Sequence, residues 1–329
     1  MSTKDIQLTT AEIAALWTTY MKCTAMDCFY QHFLIHVEDD SIKDILVQHA
    51  EANATWIQQL TSIFEQEGFP VPKGFSSSDV DLTAPPLFTD IFVLSFVYRG
   101  GQVTNEHFTS LLETVARADV LAFFEASLGK SVNLYKSSLN LMLEKGVYDR
   151  PPKIPYPDHV GFVKENPSLI GQLLGENRPL NVLELSELFF IIERNCIGLV
   201  LLKGFLQVVK DREVSDYFRK GKKLSEKQIT AFNKIIMEDD AFPTYPVTME
   251  VTNSTESPFS DKLLVFFITS SNAVGLSTMC HAITMSTRKD LGVQFAMFVT
   301  EILKFGSTGL DLLVRRGWME EPPQKKNNR

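Results

Sequence analysis

The sequence predicts an all-α protein built as two tandem four-helix bundles related by internal duplication, and three observations predict it. The first is a repeat. Shifted by 172 residues, Leu8 falls on Leu180, Glu12 on Glu184, Leu16 on Leu188, Phe33 on Phe205 and Asp39 on Asp211. With slips of one residue the match continues: Phe69-Pro70 meets Phe242-Pro243, Arg117 and Asp119 meet Arg288 and Asp290, and Gly146 meets Gly317. A period this long marks a duplicated domain, because solenoid repeats run at roughly 20 to 50 residues. The second observation is helical spacing. Leu185, Leu188, Ile192, Cys196, Leu199, Leu202, Leu206 and Val209 recur every three or four residues and fall on one stripe of a long helix. The third is that all fifteen prolines lie outside such stripes, where they remove no helical hydrogen bond.

The elements follow in order. Helix one begins in both copies at a capping box, Thr9 with Glu12 and Asn181 with Glu184, in which each side chain satisfies a free backbone donor. Helix two carries the stripe Ile42, Ile45, Leu46, His49, Ala52, Trp56, Leu60 and Ile63. Helix three runs from about Phe88 past Gly100-Gly101, where a kink is expected, and helix four from Asp119 through Phe123, Leu134 and Met142 to a stop at Gly146. Helices one and two are joined near Val37 to Ser41 and must be antiparallel neighbours. The connection from about Glu67 to Leu87 is long enough to cross the bundle, which makes the topology ferritin-like. The expected organisation is a first bundle over residues 1–150, a Pro-rich linker over 151–179 with Pro155, Pro157 and Pro167, a second bundle over 180–323, and a polar tail over 324–329.

Composition excludes several classes. Hydrophobic residues make up 44% and charged residues 22% of the 329, ordinary for a globular chain and wrong for long disorder or a disulfide scaffold. A net charge of -8 disfavours a phosphate-neutralising surface, so no nucleic acid is expected as a partner. No uninterrupted apolar run reaches the roughly 18 residues that cross a bilayer, so no membrane partner is expected. The start, Met-Ser-Thr-Lys-Asp-Ile, lacks the pattern of a secretion signal, and a cytoplasmic location is expected. Cys23, Cys28, Cys196 and Cys280 form no CxxC and are expected to be small buried hydrophobes. No GxxxxGK[ST], GxGxxG or GxSxG pattern is present. The basic run Arg219, Lys220, Lys222, Lys223 and Lys227 reads as a solvated helix face. Arg117 with Asp119 and Arg288 with Asp290 read as architecture, Asp capping the fourth helix and Arg pairing with it.

A ferritin-like bundle raises the question of a dinuclear metal centre, which needs a Glu from each of two helices and a Glu-x-x-His from each of the others. The residues three before the six histidines are Phe29, Phe33, Leu46, Thr104, Pro155 and Thr278, so no Glu-x-x-His exists. Two weaker constellations remain, both in the first copy. Asp27 and His49 stand one turn apart in height on antiparallel helices, where the second copy has Leu199 and Gly221. They can form a buried polar pair, or hold one metal ion with Tyr30 or Asn53. His32 and His36 have the i,i+4 spacing that presents two imidazoles to one zinc ion, or they form a polar helix end ahead of Glu38, Asp39 and Asp40. The metal candidates are therefore Asp27, His49, His32 and His36, for a single Fe, Mn or Zn ion; no other cofactor is expected.

Particular blocks resemble a known family. Ser286-Thr-Arg-Lys-Asp-Leu-Gly-Val-Gln-Phe295, Lys304-Phe-Gly, Arg316-Gly-Trp318 and Pro322-Pro323 look like the signature of an uncharacterised bacterial family of tandem ferritin-like proteins from endospore formers. Leu16-Trp-Thr-Thr-Tyr-Met21, His36-Val-Glu-Asp39 and Pro258-Phe-Ser-Asp-Lys-Leu263 resemble its other blocks. The resemblance covers almost the whole chain. It implies two bundles similar to spore-coat-F-type proteins and no established activity. The family pattern places a His in the middle of helix two in both copies, where this chain has Trp56 and Gln228. The leading expectation is thus a non-catalytic structural or interaction module with a sporulation connection, its partner another protein or a second copy of itself. The alternatives are a metalloprotein with a degenerate mononuclear site in the first copy, and a binder of small apolar ligands among the twenty-four Phe and ten Met.

Overall fold

The computed structural model describes residues 6–163, 168, 170–171, 177–239, 243 and 251–324. Pro167, Phe242, Pro246 and the tail from 325 lie outside the described residues. Eight long helices stand among those described: α1 (Thr10–His36), α2 (Asp40–Gln66), α3 (Asp90–Leu112), α4 (Ala118–Glu144), α5 (Val182–Val208), α6 (Arg212–Glu238), α7 (Asp261–Met285) and α8 (Lys289–Arg315). Their starts follow local chemistry. The capping boxes at Thr9 and Asn181 both form, Asp39 caps α2 and Asp211 caps α6. The ends of α4 and α8 are equally local, because Gly146 and Gly317 adopt φ of 68° and 65°, a region that L side chains avoid. α3 runs unbroken through Gly100-Gly101. The reason for glycine there is close approach rather than a break: a Cβ on Gly101 would lie 3.2 Å from the Tyr135 backbone.

The chain divides into two compact units, one of Met1–Tyr148, Thr248–Phe267 and Leu313–Arg329, the other of Asp149–Val247 and Ile268–Leu312. In the first unit α1 and α2 form a hairpin, with the Asn53 amide donating to the Cys23 carbonyl at 3.0 Å and Tyr20 edge-on to Phe64. α3 and α4 form another, marked by Tyr98 stacked on Tyr135. α3 starts beside the first hairpin's turn, because Asp90 Oδ2 accepts from the Glu38 and Asp39 amides at 3.0 and 2.8 Å. Glu67, at the far end of α2, pairs with Arg117 at the start of α4. The connection over 67–89 therefore travels the bundle's length, about 40 Å at 1.5 Å per helical residue.

That connection is held by a second extended segment of the same unit. Val80 pairs with Phe259 and Phe88 with Val251 in isolated antiparallel bridges, and Asp81 N donates to the Pro258 carbonyl at 2.8 Å, Ser260 N to that of Asp79 at 3.0 Å. At a shift of 171, Val80 corresponds to Val251 and Phe88 to Phe259. One contact is thus made twice about a local two-fold. Phe96 also stacks on its own repeat counterpart, Phe267, with centroids 5.8 Å apart.

In the second unit α5 and α6 form the hairpin. Tyr217 of α6 stacks on Phe305 at 4.5 Å and shares a 3.1 Å hydrogen bond with Thr269 of α7. Phe232 packs on Phe295 and Phe298 of α8. α7 is the one helix among the described residues that is long and apolar enough to cross a bilayer by length and composition, with a mean hydropathy of 1.6. The Ser, Thr and Gly residues that interrupt its apolar run contribute little polarity. Its Leu263, Leu264, Val265, Ile268, Met279 and Ala282 are buried in protein.

The same ionic joint closes one end of the helices in each copy. Glu12 Oε1 accepts from the Arg117 and Ala116 amides at 2.7 and 3.2 Å, and Oε2 from Thr9 N at 2.8 Å. Glu184 Oε1 accepts from Arg288 N and Thr287 N at 2.9 and 3.0 Å, and Oε2 from Asn181 N at 3.1 Å. Burial opposes the charge of Glu12, but these backbone donors outweigh it and hold the carboxyl down at about 2. Glu184 is likewise lowered, burial being outweighed by Arg178 and by the Asn181 and Arg288 amides. Arg117 reaches Asp119, Glu67 and the Ile6 carbonyl; Arg288 reaches Asp290 and the Arg178 carbonyl. The residue at the α4 cap is Arg117, whose side chain makes no capping bond. Two acids serve this end: Asp119 Oδ1 accepts from Val120 N at 2.9 Å, as the sequence suggests, and Glu12 takes the Ala116 and Arg117 amides.

Candidate functional site

Asp27 and His49 each take a different partner. His49, 5% exposed on α2, lies 2.9 Å from Ser138 Oγ on α4. Ser138 spends its own proton on the Leu134 carbonyl, so the imidazole Nε2–H donates. Burial pushes the His49 pKa down to about 4, leaving the ring neutral. Asp27, half-buried on α1, accepts from the Gln31 amide at 2.6 Å. Tyr30 lies tilted against His49 with centroids 6.3 Å apart, and Asn53 is committed to the Cys23 carbonyl. Among the described residues no three His, Cys, Asp or Glu side chains stand together as a metal ligand set.

His32 and His36 are brought together. Their rings lie 4.5 Å apart at the carboxyl end of α1. His32 is 1% exposed, and its Nε2 lies 3.1 Å from the Ala84 carbonyl. A carbonyl only accepts, so Nε2 carries the proton and Nδ1 presents a lone pair. Burial lowers the His32 pKa to about 4, so this neutral tautomer persists at pH 7. His32 Nδ1 and His36 Nε2 are both buried without a hydrogen-bond partner. They line a small, partly open recess with Pro86, Phe88 and Asp90.

A third polar pair gave no signal from spacing alone. Lys22 Nζ donates to His107 Nδ1 at 3.1 Å, His107 Nε2–H to Thr19 Oγ1 at 3.0 Å, and Thr19 to the Ala15 carbonyl at 2.7 Å. Burial lowers Lys22 below the usual ammonium range and His107 to about 3. At the repeat shift these positions become Arg194 and Thr278, and Arg194 donates to Thr278 Oγ1 at 2.7 Å. The pair is thus a joint between the first and third helices of each copy. Polar residues at matched positions of the repeat are the signal that finds it.

The remaining groups are quiet. Cys23 and Cys28 are buried and their thiols pushed up to about 12, mainly by burial; Cys196 is buried, while Cys280 is exposed, contrary to expectation, on the outer side of α7. The basic run on α6 faces solvent with neighbouring acids: Arg219 with Asp216, Lys222 with Glu226, Lys227 with Glu301. Buried Phe side chains pack on one another, as in Phe29 with Phe33, Phe96, Phe259 and Phe267.

Comparison with known proteins adds a family. No protein among those with curated descriptions matches the chain. One solved structure, the crystal structure of a "putative spore coat protein" from Bacillus halodurans C-125, is similar at 19% identity. The match covers 47% of this chain and 100% of that one, with a TM-score of 0.43. A family described as "Protein of unknown function (DUF3231)" matches twice, over residues 1–160 and 168–329, in the two halves that the repeat delimits. The chain, a tandem duplication closed in each copy by the same buried glutamate, belongs to the DUF3231 family.

Proposed function

We propose that the protein is a non-catalytic structural or interaction module acting in sporulation, and that the outer face of α8 is its contact surface. The observation that carries this reading is a stripe of Val293, Ala296, Thr300, Leu303, Ser307 and Leu310, spaced alternately three and four residues apart and solvent-exposed throughout. Leu303 is 52% and Leu310 45% exposed. An uncharged stripe with a period of 3.5 residues is what one helix offers to another. At the same positions the first copy has Ala122, Glu125, Gly129, Val132, Lys136 and Leu139, where two charges interrupt the stripe. The duplicated carboxylate–arginine joints, the neutral imidazoles and the high-pKa thiols fit a scaffold, since none of them is an activated acid, base or nucleophile. The sporulation setting follows the resemblance of the sequence to proteins of endospore formers.

The test is association. Sedimentation of the full chain over a concentration series is expected to show self-association that weakens at least tenfold when Leu303→Lys and Leu310→Lys are combined. Equal behaviour of the two proteins removes α8 as the contact surface, and steady-state oxidase or peroxidase turnover removes the non-catalytic reading.

A further inference from the structure

Two facts about the α1 end stand apart from the scaffold. Two buried imidazole nitrogens, His32 Nδ1 and His36 Nε2, lack partners, and both residues line one recess. A buried polar atom without a partner costs about 1–3 kcal/mol, and the second copy avoids that cost by placing Gly204 and Val208 there. The first copy keeps two such atoms side by side.

We propose that His32 and His36 form a binding site for a single late first-row divalent cation, with Zn2+ the best fit. His32 has the arrangement that metal-bound histidines use. Its Nε2–H is held by the Ala84 carbonyl at 3.1 Å, which fixes the tautomer and leaves the Nδ1 lone pair for an ion. The ring separation of 4.5 Å is close to the roughly 5 Å between two imidazoles on one tetrahedral ion with bonds of about 2.0–2.1 Å. Neutral imidazoles select the later first-row metals over Mg2+ or Ca2+, which prefer oxygen. Only two side-chain nitrogens converge, so the remaining positions are taken by water or by an outside ligand. Asp90 lines the same recess. Its Oδ2 already accepts two backbone amides, and the carboxylate supplies negative charge beside the ion rather than a bond to it. The site does not depend on the reading of α8.

Titration of the metal-free full chain with ZnCl2 by calorimetry tests the site. One Zn2+ per chain is expected at micromolar affinity or tighter. His36→Gln is expected to weaken binding at least tenfold with an unchanged circular dichroism melt, since His36 is only half-buried. His281→Gln, at an exposed histidine of α7, is expected to leave binding unchanged. Zinc-edge X-ray absorption should report two imidazole nitrogens at about 2.0–2.1 Å. Absence of a stoichiometric event, or binding that survives His36→Gln intact, overturns the proposal.

Discussion

The middle of the first unit and the middle of the second solve one packing problem in opposite ways. In the first, His49 and Ser138 meet between α2 and α4 through a 2.9 Å hydrogen bond. In the second, both positions are glycine, Gly221 and Gly309, and aromatic rings take the space. A Cβ on Gly221 would collide with Phe305, and one on Gly309 with Tyr217 and Thr269. The helix-end joints, by contrast, repeat one pattern: Glu12 accepts from the Ala116 and Arg117 amides and Glu184 from the Thr287 and Arg288 amides. The difference teaches that the ends carry the architecture, while the interior is free to be polar in one copy and aromatic in the other.

The largest test of that division falls on the ends. Glu12→Ala and Glu184→Ala each strand three backbone donors, and the second also removes the carboxylate that pairs with Arg178. Each is expected to cost about 3 kcal/mol in urea unfolding; a loss below 1 kcal/mol in either copy would show that the ends are not the common element. The interiors should then respond oppositely to one added or removed group. Gly221→Ala overpacks against Phe305 and is expected to cost about 2 kcal/mol. His49→Ala leaves a void between α2 and α4 and is expected to cost about 2 kcal/mol, with Ser138 keeping its bond to the Leu134 carbonyl.

A mild-acid effect is confined to one copy. Folded-state pKa values near 4 for His49 and His32 and near 3 for His107 lie below the ordinary 6.5. The unfolded chain therefore binds more protons as pH falls through 6.5. Stability from these three residues is full above that pH and declines down to about pH 4 for His49 and His32 and about pH 3 for His107. The second copy has Gly221, Gly204 and Thr278 at the matched positions. Amide hydrogen exchange at pH 7 and pH 5 should show α1 to α4 opening more readily at the lower pH, with α5 and α6 little changed. Equal loosening of both would assign the acid response elsewhere.

Much of the fold was legible because its signals are local. Thr9 with Glu12, Asn181 with Glu184, Asp39 and Gly146 each act within one helical turn, and the stripe through Ile42, Leu46, His49, Trp56 and Leu60 is buried as its spacing implies. What was not legible depends on residues distant in sequence. His49 sits on the interior stripe, yet no spacing announces Ser138, 89 positions away. The i,i+4 relation of His32 and His36 was visible, whereas the Ala84 carbonyl that sets the tautomer belongs to an irregular connection 52 residues on. Glu12 stands in the sequence as half of a capping box, and only tertiary structure shows the same carboxylate serving the start of α4.

The doubled pairing of Val80 with Phe259 and Phe88 with Val251 is self-complementary. A contact that repeats about a two-fold is one that two separate copies could also make, with an occupancy set by their concentration. Joining the twins in one chain turns that encounter into an intramolecular event, whose effective concentration is fixed by the tether rather than by expression. Freed from having to match, the two halves can differ in composition, as the histidines of one and the glycines of the other do.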